Sequence, residues 1–349
     1  MRLIDFPDEI LLHIFSHYDI LEPGDLRHLA LTCQRISQPA IVSLYSSLRL
    51  HCFDGDDSTS IRRINRLNSS LDSYPARALW MRSADFAWCA NTSEPTIRRF
   101  SLLARFPAIE RLKLRAWTRE LPIFNSPSWT NRPRAASVAN PSELVPQSPF
   151  APCLRNLTID DAYLSIADVA KIFNLPKVNC LNIMRFDETK SKGIEVRKLN
   201  STRLCNLKEL RLVVTSPPTE EFTRFIFQKH PHLIKLTWEF DGREVFYRPY
   251  RQVLADSVAR LLQPLSATLL ELRLSMHWWF GIQQSHPLDL SYLQVLKVLD
   301  VSGEVVLSPL EPGDLVPTPL YERLPTSLEK LIVSSLKIPP NYHVLMSSF

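Results

Sequence analysis

The sequence is short of glycine and lacks the motifs that glycine usually supports. Only 7 of its 349 residues are glycine. None of the motifs G-x-G-x-x-G, G-x-x-x-x-G-K-[ST] or G-x-S-x-G, which cradle phosphates or present a nucleophile, occurs. The histidines do not cluster with carboxylates in a recognisable catalytic motif. We therefore expect a chain that is not an enzyme and needs no cofactor.

The chain also lacks paired cysteines. Its six cysteines occur without any C-x-x-C pair, at Cys33, Cys52, Cys89, Cys153, Cys180 and Cys205. This pattern disfavours a disulfide framework and a structural zinc site, and it predicts free, buried thiols. His13 and His17 have a helical spacing that can bind a metal, but no third ligand accompanies them. No metal site is predicted.

Long apolar runs are absent as well. No stretch approaches the eighteen or so apolar residues of a membrane span. The first residues, MRLIDFPDEI, hold acids and a proline where a signal peptide needs a basic start and an apolar run. With 45% hydrophobic and 22% charged residues, the composition is that of a folded chain. We expect an intracellular protein, cytoplasmic or nuclear, without a membrane partner.

The first fifty residues predict three short helices. An apolar stripe at helical spacing runs through residues 6–18: Ile10, Leu11, Ile14, Phe15 and Tyr18. A second helix is expected after Pro23, with Asp25 as its cap, and Pro39 should interrupt the third. Because so small a module buries little surface, part of its apolar surface is expected to meet a partner.

The order and spacing of these residues resemble the F-box. The resemblance is carried by Phe6-Pro7-Asp8-Glu9-Ile10-Leu11, Ile14-Phe15 and Asp25-Leu26-x-x-Leu29-Ala30-Leu31-Thr32-Cys33-x-Arg35. Two positions depart from the usual pattern: Ile36 replaces a frequent aromatic, and Tyr45 replaces the usual tryptophan.

An F-box implies docking on the Skp adaptor and, through it, on a cullin scaffold. The residues that the resemblance assigns to adaptor binding or to the module core are Phe6, Pro7, Ile10, Leu11, Ile14, Phe15, Leu26, Leu29 and Cys33. For each single position, ordinary packing in a small helical bundle is the alternative.

The rest of the chain repeats the pattern L-x-x-L-x-L, with aliphatic or aromatic substitutes. The copies have their anchors at Ile109-Leu112-Leu114, Leu154-Leu157-Ile159, Val178-Leu181-Ile183, Leu207-Leu210-Leu212, Leu233-Leu236-Trp238, Leu269-Leu272-Leu274, Leu293-Leu296-Val298 and Leu328-Leu331-Val333. An earlier copy is expected at Ala76-Leu79-Met81. The last two anchors alternate with variable residues, which predicts a strand with one buried face.

Helix-like segments between these copies complete a unit of strand, turn, helix and turn, which resembles the leucine-rich-repeat fold. The resemblance implies an α/β solenoid with parallel strands on its concave side and helices on its convex side. An ordinary α/β sheet with unrelated leucine-rich strands is the alternative. The predicted organisation is an F-box at 1–50, a linker at 51–75 and a repeat domain at 76–349. Residues 122–152, rich in Pro, Ser and Asn, are expected to form a flexible insertion.

Residues between the anchors should point away from the core and form a surface for a protein substrate. The candidates are Arg111, Lys113, Arg115, Arg211, Thr237 and Arg273, together with Trp278 and Trp279 after one of the strands. Clustered arginines can bind carboxylate or phosphate, and an aromatic pair can be a binding hot spot. The ordinary alternatives are a solvated charged face and aromatics that pack beneath a loop.

These observations favour the substrate-recognition subunit of an SCF-type (Skp–cullin–F-box) E3 ubiquitin ligase, which holds an unidentified protein target. Such a subunit contributes proximity and orientation rather than covalent chemistry. A non-catalytic repeat scaffold or regulatory protein outside a ligase is the alternative. The net charge of +5 raises nucleic-acid binding as a question, but no recognised nucleic-acid-binding motif supports it.

Overall fold

The computed structural model describes twelve segments of the chain: residues 3–16, 23–51, 57–89, 102–117, 149–160, 166–173, 175–186, 206–214, 219–240, 255–276, 288–302 and 320–334. The chain divides into two compact units. The first comprises Met1–Asp161 with Leu175–Val178, and the second comprises Ala162–Asn174 with Asn179–Phe349.

The first unit begins with three helices: α1 (Asp8–Ser16), α2 (Pro23–Ala30) and α3 (Gln34–Ser46). Both α1 and α2 pack against α3. Each helix contributes apolar side chains to a common core, as expected for amphipathic helices. The core between them consists of Leu11, Phe15, Leu26, Ile36 and Ala40. Ile36, which departs from the F-box pattern, is thus a core residue.

Two predicted helix limits were wrong. The second helix begins at Pro23, so that Asp25 lies inside its first turn instead of capping it. Proline is favoured at that first position, where its missing N–H costs no hydrogen bond. The third helix runs through Pro39, which is buried. A proline here leaves the carbonyl of Arg35 without its helical donor, and we attribute the unbroken helix to the core packing of Pro39 and Ala40.

The third helix leads directly into a parallel sheet. The strands of this unit are β1 (Ser47–His51), β2 (Ser83–Cys89), β3 (Arg111–Trp117) and β4 (Asn156–Asp160). They pair in parallel in chain order. Helix α4 (Asp57–Ser73) lies between β1 and β2 in the sequence and occupies most of the segment predicted as a linker.

The second unit continues the same plan. Its strands are β5 (Cys180–Phe186), β6 (Glu209–Val214), β7 (Lys235–Phe240), β8 (Glu271–Met276), β9 (Val298–Ser302) and β10 (Lys330–Ser334). They are also parallel and in chain order. Its helices are α5 (Ile166–Phe173), which precedes β5, and α6 (Glu220–Lys229) and α7 (Ala255–Leu262), which lie between strands. Thr219 caps α6 by accepting a hydrogen bond from the Phe222 N–H.

One backbone motif recurs where the strands begin. The carbonyl oxygen of the residue before a strand accepts two N–H groups from the start of the next strand. The Glu110 oxygen accepts from Arg155 at 2.8 Å and Asn156 at 3.0 Å. The same arrangement is found at the carbonyls of Arg82, Asn179, Lys208, Ile234, Leu270 and Lys297. Because these neighbouring strands are fixed to each other at equivalent points, equivalent residues stand in rows within each unit.

This common register confirms the repeat interpretation over that of unrelated strands. Leu112 lies opposite Leu157, and Leu210 lies opposite Leu236. The paired anchors from β3 to β8 are almost fully buried, since side chains alternate between the two faces of a strand. On the other face, variable polar residues are aligned in equally regular rows.

Two of the predicted copies were misplaced. Residues 75–79 form a 3-10 turn, and the inward residues of β2 are Ala84 and Phe86, opposite Leu112 and Leu114. The repeat pattern there is Met81-x-x-Ala84-x-Phe86. It is hard to recognise in the sequence because Ala84 replaces the usual large aliphatic residue.

Near the C-terminus the pattern occurs twice in overlap, at Leu293-Leu296-Val298 and at Leu296-Leu299-Val301. The structure selects the second copy. Leu299 and Val301 are buried and pair with Leu331 and Val333, whereas Val298 lies on the polar face between Glu271 and Lys330.

An irregularity in β5 was not indicated by the sequence. Arg185 has a φ of 60°, a left-handed conformation that is uncommon for residues other than glycine. At this point the pairing with β6 shifts, so that Phe186 lies opposite Val214. Phe186 is fully buried and stacks on Phe222 with their ring centroids 5.0 Å apart. The bulge therefore brings an extra aromatic side chain into the core.

A hydrogen-bonded cluster ties α3 to α4 and to the turn Pro75–Leu79. The Tyr45 hydroxyl lies 2.8 Å from Ser70 Oγ, and Arg77 Nη1 donates to both oxygens, at 3.1 Å and 2.8 Å. The guanidinium group also lies over the rings of Tyr45 and Tyr74. This cluster gives a reason for tyrosine at position 45, because a tryptophan indole can donate but cannot accept a hydrogen bond from Arg77.

Leu112→Ala should reduce the free energy of unfolding by about 2–5 kcal/mol, because it opens a cavity in a fully packed layer. Lys113→Ala, one residue along the same strand on the exposed face, should change it by less than about 0.5 kcal/mol. Denaturant unfolding of the two variants measures this difference. Equal losses would contradict the assigned strand faces.

Tyr45→Trp should destabilise the protein although tryptophan is the usual F-box residue at this position. The substitution removes the acceptor for Arg77, and we expect a loss of about 1 kcal/mol in unfolding free energy. Tyr45→Phe, which keeps the ring but removes the hydroxyl, should lose a similar amount. A Tyr45→Trp variant as stable as the wild type in urea unfolding would show that the hydroxyl contacts contribute nothing.

His230 should make the stability of the second unit sensitive to acid. It is buried beside Phe173, with ring centroids 4.6 Å apart. Burial, aided by the charge of Lys229, lowers its pKa from 6.5 to about 4. Between about pH 6.5 and pH 4, His230 is therefore protonated in the unfolded chain but neutral in the folded protein.

The unfolding free energy should accordingly fall as the pH drops from about 6.5 towards 4, by on the order of 3 kcal/mol from this residue. In His230→Gln, which cannot be protonated in this range, that contribution should be absent. Urea unfolding of both proteins across this pH range measures the difference between them. A difference that stays constant with pH would rule out His230 as its source.

Candidate functional site

Four apolar side chains of the helical module are partly exposed: Leu3, Ile4, Ile10 and Leu31. We call these four residues the module face. Ile10 is 43% exposed, and Leu31, in the turn after α2, is 84% exposed. Leu3 and Ile4 are more than one-third exposed as well. Exposed apolar side chains mark an interaction surface where they form a contiguous patch. The module face is the first candidate site.

The residues predicted to bind an adaptor fall into three groups. Leu11, Phe15 and Leu26 are buried in the module core. Phe6, Ile14 and Leu29 are half-buried and pack against that core. Pro7, Ile10 and Cys33 are exposed. Only the last two groups offer surface to a partner in this conformation, and the first group supports them from beneath.

Leu31 was not singled out from the sequence, although it is the most exposed large apolar side chain in the described part of the chain. In the sequence, Leu31 could have been recognised as a surface residue because it falls outside the inward stripe of α2. Leu26, Leu29 and Ala30 form that stripe. An apolar residue outside the inward stripe of a helix cannot pack into the core of its own module. Its exposure therefore makes it a candidate for contact with a partner.

Arg35 holds the beginning of α1 against α3. Its Nη2 donates to the Phe6 carbonyl oxygen at 3.1 Å, and its Nε lies 4.0 Å from a carboxylate oxygen of Asp8. Both charged side chains are more than half exposed, so the ion pair itself contributes little stability. The contact orients the loop that carries Pro7 at the edge of the module face.

The thiols that the structure describes are free, but they are not all buried as predicted. Cys33 is exposed, and Cys153 and Cys180 are half-buried. Burial, together with the nearby Glu209 carboxylate, raises the pKa of the Cys180 thiol to about 11. Cys180 therefore remains protonated at neutral pH, which makes it a poor nucleophile.

In the first unit, the outward residues of β1 to β4 form what we call the first polar face. One row across the strands reads Arg49, Asp85, Lys113 and Thr158. The next row contains Arg115 beside Asp160. Arg49, Arg111 and Lys113 are exposed. Of the predicted substrate contacts, Arg111, Lys113 and Arg115 lie here.

One ion pair on the first polar face is close and partly shielded from water. Arg115 Nη2 lies 2.7 Å from Asp85 Oδ2, and Arg115 Nε donates to Asp85 Oδ1 at 3.3 Å. The two side chains are only 21% and 22% exposed. This bidentate geometry holds both groups in place, so Arg115 is engaged within the sheet.

In the second unit, the outward residues of β5 to β10 form the second polar face. Arg211, Thr237 and Arg273 stand in one row. Glu239 lies 2.8 Å from Arg211 and 3.4 Å from Arg273, which also lies 3.4 Å from Asp300. The predicted arginine contacts of this unit are therefore neutralised by carboxylates of the same face.

Lys235 completes this charge balance. Its Nζ lies 2.6 Å from Glu271, and this hydrogen bond raises the pKa of Lys235. The predicted substrate residues are thus divided between two faces in two units. Trp278 and Trp279 lie outside the described residues. Within the described segments, no group of histidine, cysteine and acidic residues could hold a metal ion.

Sequence reasoning missed two residues of the first polar face. Arg49 and Asp85 lie on β1 and β2, and those strands were either unpredicted or misplaced. The pattern Tyr45-x-x-Leu48-x-Leu50 could have revealed β1. No sequence pattern indicated that Asp85 pairs with Arg115, which is 30 residues away.

Residues 3–51 match the sequence profile of F-box-like domains. Among solved structures, the chain is similar to the leucine-rich repeat-containing protein LegL7 from Legionella pneumophila. The TM-score is 0.39 and the identity 10%, over 83% of this chain and 90% of that protein. No curated protein sequence matches the chain significantly.

The sequence match and the strand register together confirm the predicted fold class. An F-box-like helical domain is followed by parallel strands that repeat in register. In the described part of the chain, no helix combines the length and the apolar character needed to cross a membrane.

Proposed function

We propose that the chain is the substrate-recognition subunit of an SCF-type E3 ubiquitin ligase. Its F-box-like domain would dock on the Skp adaptor, and through it on cullin, while the repeat domain holds a protein target. In this role the chain orients the target and performs no covalent chemistry of its own. We place it inside the cell, in the cytoplasm or the nucleus, where such ligases act.

The observation that carries this proposal is the exposed apolar side chains on a domain whose sequence matches the F-box. Ile10 and Leu31 together offer the kind of contact that a protein partner buries. Complete burial of one such side chain contributes about 1.5–3 kcal/mol. Half-buried Ile14, one helical turn from Ile10, can extend the contact.

The division of labour along the chain is part of the same proposal. We assign residues 1–50 to adaptor binding and 76–349 to target binding, with 51–75 between them. The cluster around Tyr45 and Arg77 fixes the third helix to α4 and the following turn. A target bound on the first polar face would therefore be held in a constant position relative to the adaptor.

A non-catalytic scaffold that binds the adaptor outside a ubiquitin ligase is the second candidate. Adaptor binding is common to both functions. Association with cullin distinguishes them, since only a ligase subunit requires it.

Full-length chain should capture the Skp adaptor and cullin from a reconstituted mixture of purified proteins. An Ile10→Asp, Leu31→Asp variant should capture at least about a hundred times less adaptor, because two apolar contacts are replaced by desolvated charges. Quantitative pull-down measures the loss. Both positions are exposed, so the variant should remain folded by circular dichroism.

Leu79→Asp provides the matched control, because Leu79 is 56% exposed but lies outside the module face. It should leave adaptor capture unchanged. Failure of the wild-type chain to bind adaptor, while a known F-box protein binds it in the same mixture, would refute the proposal. Adaptor binding without cullin would favour the scaffold.

A further inference from the structure

The first polar face carries three basic side chains that the sheet itself does not neutralise. Arg49 and Lys113 stand in the same row on either side of Asp85, and Arg111 precedes Lys113 on β3. From ordinary sheet spacings, the Cα atoms of Arg49 and Lys113 are about 10 Å apart, and those of Arg111 and Lys113 about 7 Å. We call these three residues the basic triplet.

The basic triplet is available to a partner. All three side chains are exposed, and none forms a hydrogen bond or an ion pair with the described residues. The carboxylate between them, Asp85, is engaged by Arg115 in a bidentate, partly shielded pair. A surplus of positive charge therefore remains at the surface.

On strands β6 to β8 of the second polar face, by contrast, the basic side chains are paired with carboxylates. There Arg211 and Arg273 contact Glu239, and Lys235 contacts Glu271. Each of these cations is compensated by a carboxylate on an adjacent or nearby strand. An anionic ligand would have to break existing pairs at β6 to β8, whereas on the first face it would meet open donors.

We propose that the basic triplet binds an extended, carboxylate-rich segment of a protein target. This deepens the proposed function, on which it rests, by naming the class of segment recognised. In an extended peptide, residues two or three apart are separated by about 7–10 Å. Carboxylates at that spacing reach all three cations. The guanidinium groups of Arg49 and Arg111 can each donate two hydrogen bonds to one carboxylate.

An acidic peptide fits this site better than a nucleic acid does. Nucleic-acid binding typically spreads about 6–10 phosphate contacts along a basic surface. The first polar face offers a short patch of three open cations, with the carboxylates of Asp85 and Asp160 beside it. A short segment with a few carboxylates matches that extent.

The test measures the affinity of the chain for a fluorescently labelled peptide of alternating glutamate and serine, by fluorescence anisotropy. A peptide with glutamine in place of glutamate and a single-stranded oligodeoxythymidine of equal charge are the comparison probes. The glutamate peptide should bind, and Arg111→Glu, Lys113→Glu should weaken it about tenfold. Asp85→Asn, which removes the central carboxylate, should strengthen it about two- to fivefold.

Lys177→Glu, Lys208→Glu is the matched control, because it makes the same change in net charge at exposed lysines that do not belong to strands β1 to β4. It should leave peptide affinity within about twofold of the wild type. The proposal is overturned if the glutamate peptide does not bind, if the control weakens binding equally, or if the oligonucleotide binds more tightly through the same residues. Circular dichroism of every variant checks that each is folded. Failure of the wild type to capture the Skp adaptor would count against the proposed function instead.

Discussion

The structure depends on one repeated backbone contact, in which the carbonyl before a strand accepts two N–H groups from the start of the next strand, at seven places among the described residues. Buried and partly buried peptide groups need such partners, and here each repeat supplies the partner for the following one. Because the contact recurs at equivalent places, at carbonyls from Arg82 to Lys297, these strands begin their pairing in the same register although long and unequal segments separate them. A slip of one residue would turn every anchor outward.

From this register follow both the core and the two polar faces. The inward residues meet layer by layer, so a leucine in one strand packs beside its equivalents in the neighbouring strands. The outward residues meet in the same rows, which places charged side chains from different repeats within reach of each other. Arg115 reaches Asp85 and Arg211 reaches Glu239 for this reason. Which charged side chains remain without an ion pair therefore depends on how the strands pair, and the sequence of a single strand does not show it.

The helical module is joined to this system by covalent continuity and by the cluster around Tyr45. The last turn of α3 passes directly into β1, so the module that carries Ile10 and Leu31 shares its final helix with the start of the sheet. Arg77 adds hydrogen bonds from the turn that precedes β2. The proposed function would benefit from such a joint, because flexibility between adaptor and target would lower the effective concentration of the target.

The sequence by itself determined the three-helix module, the parallel repeat and the identity of most inward residues. These features rest on local periodicity, since helical and strand spacings appear within a few residues of one another. It also identified Arg111 and Lys113 as outward residues. Whether Arg111 and Lys113 form ion pairs depends on residues of other strands.

Only the tertiary structure decided which of two overlapping patterns forms β9, that Ala84 occupies a leucine position, and that α3 continues through Pro39. It alone showed that Leu11 and Phe15 lie within the core while Ile10 faces solvent. It also showed that Arg115 is engaged whereas Lys113 is open. Each of these outcomes depends on contacts between residues that are distant in sequence, and the local pattern contains no record of those contacts.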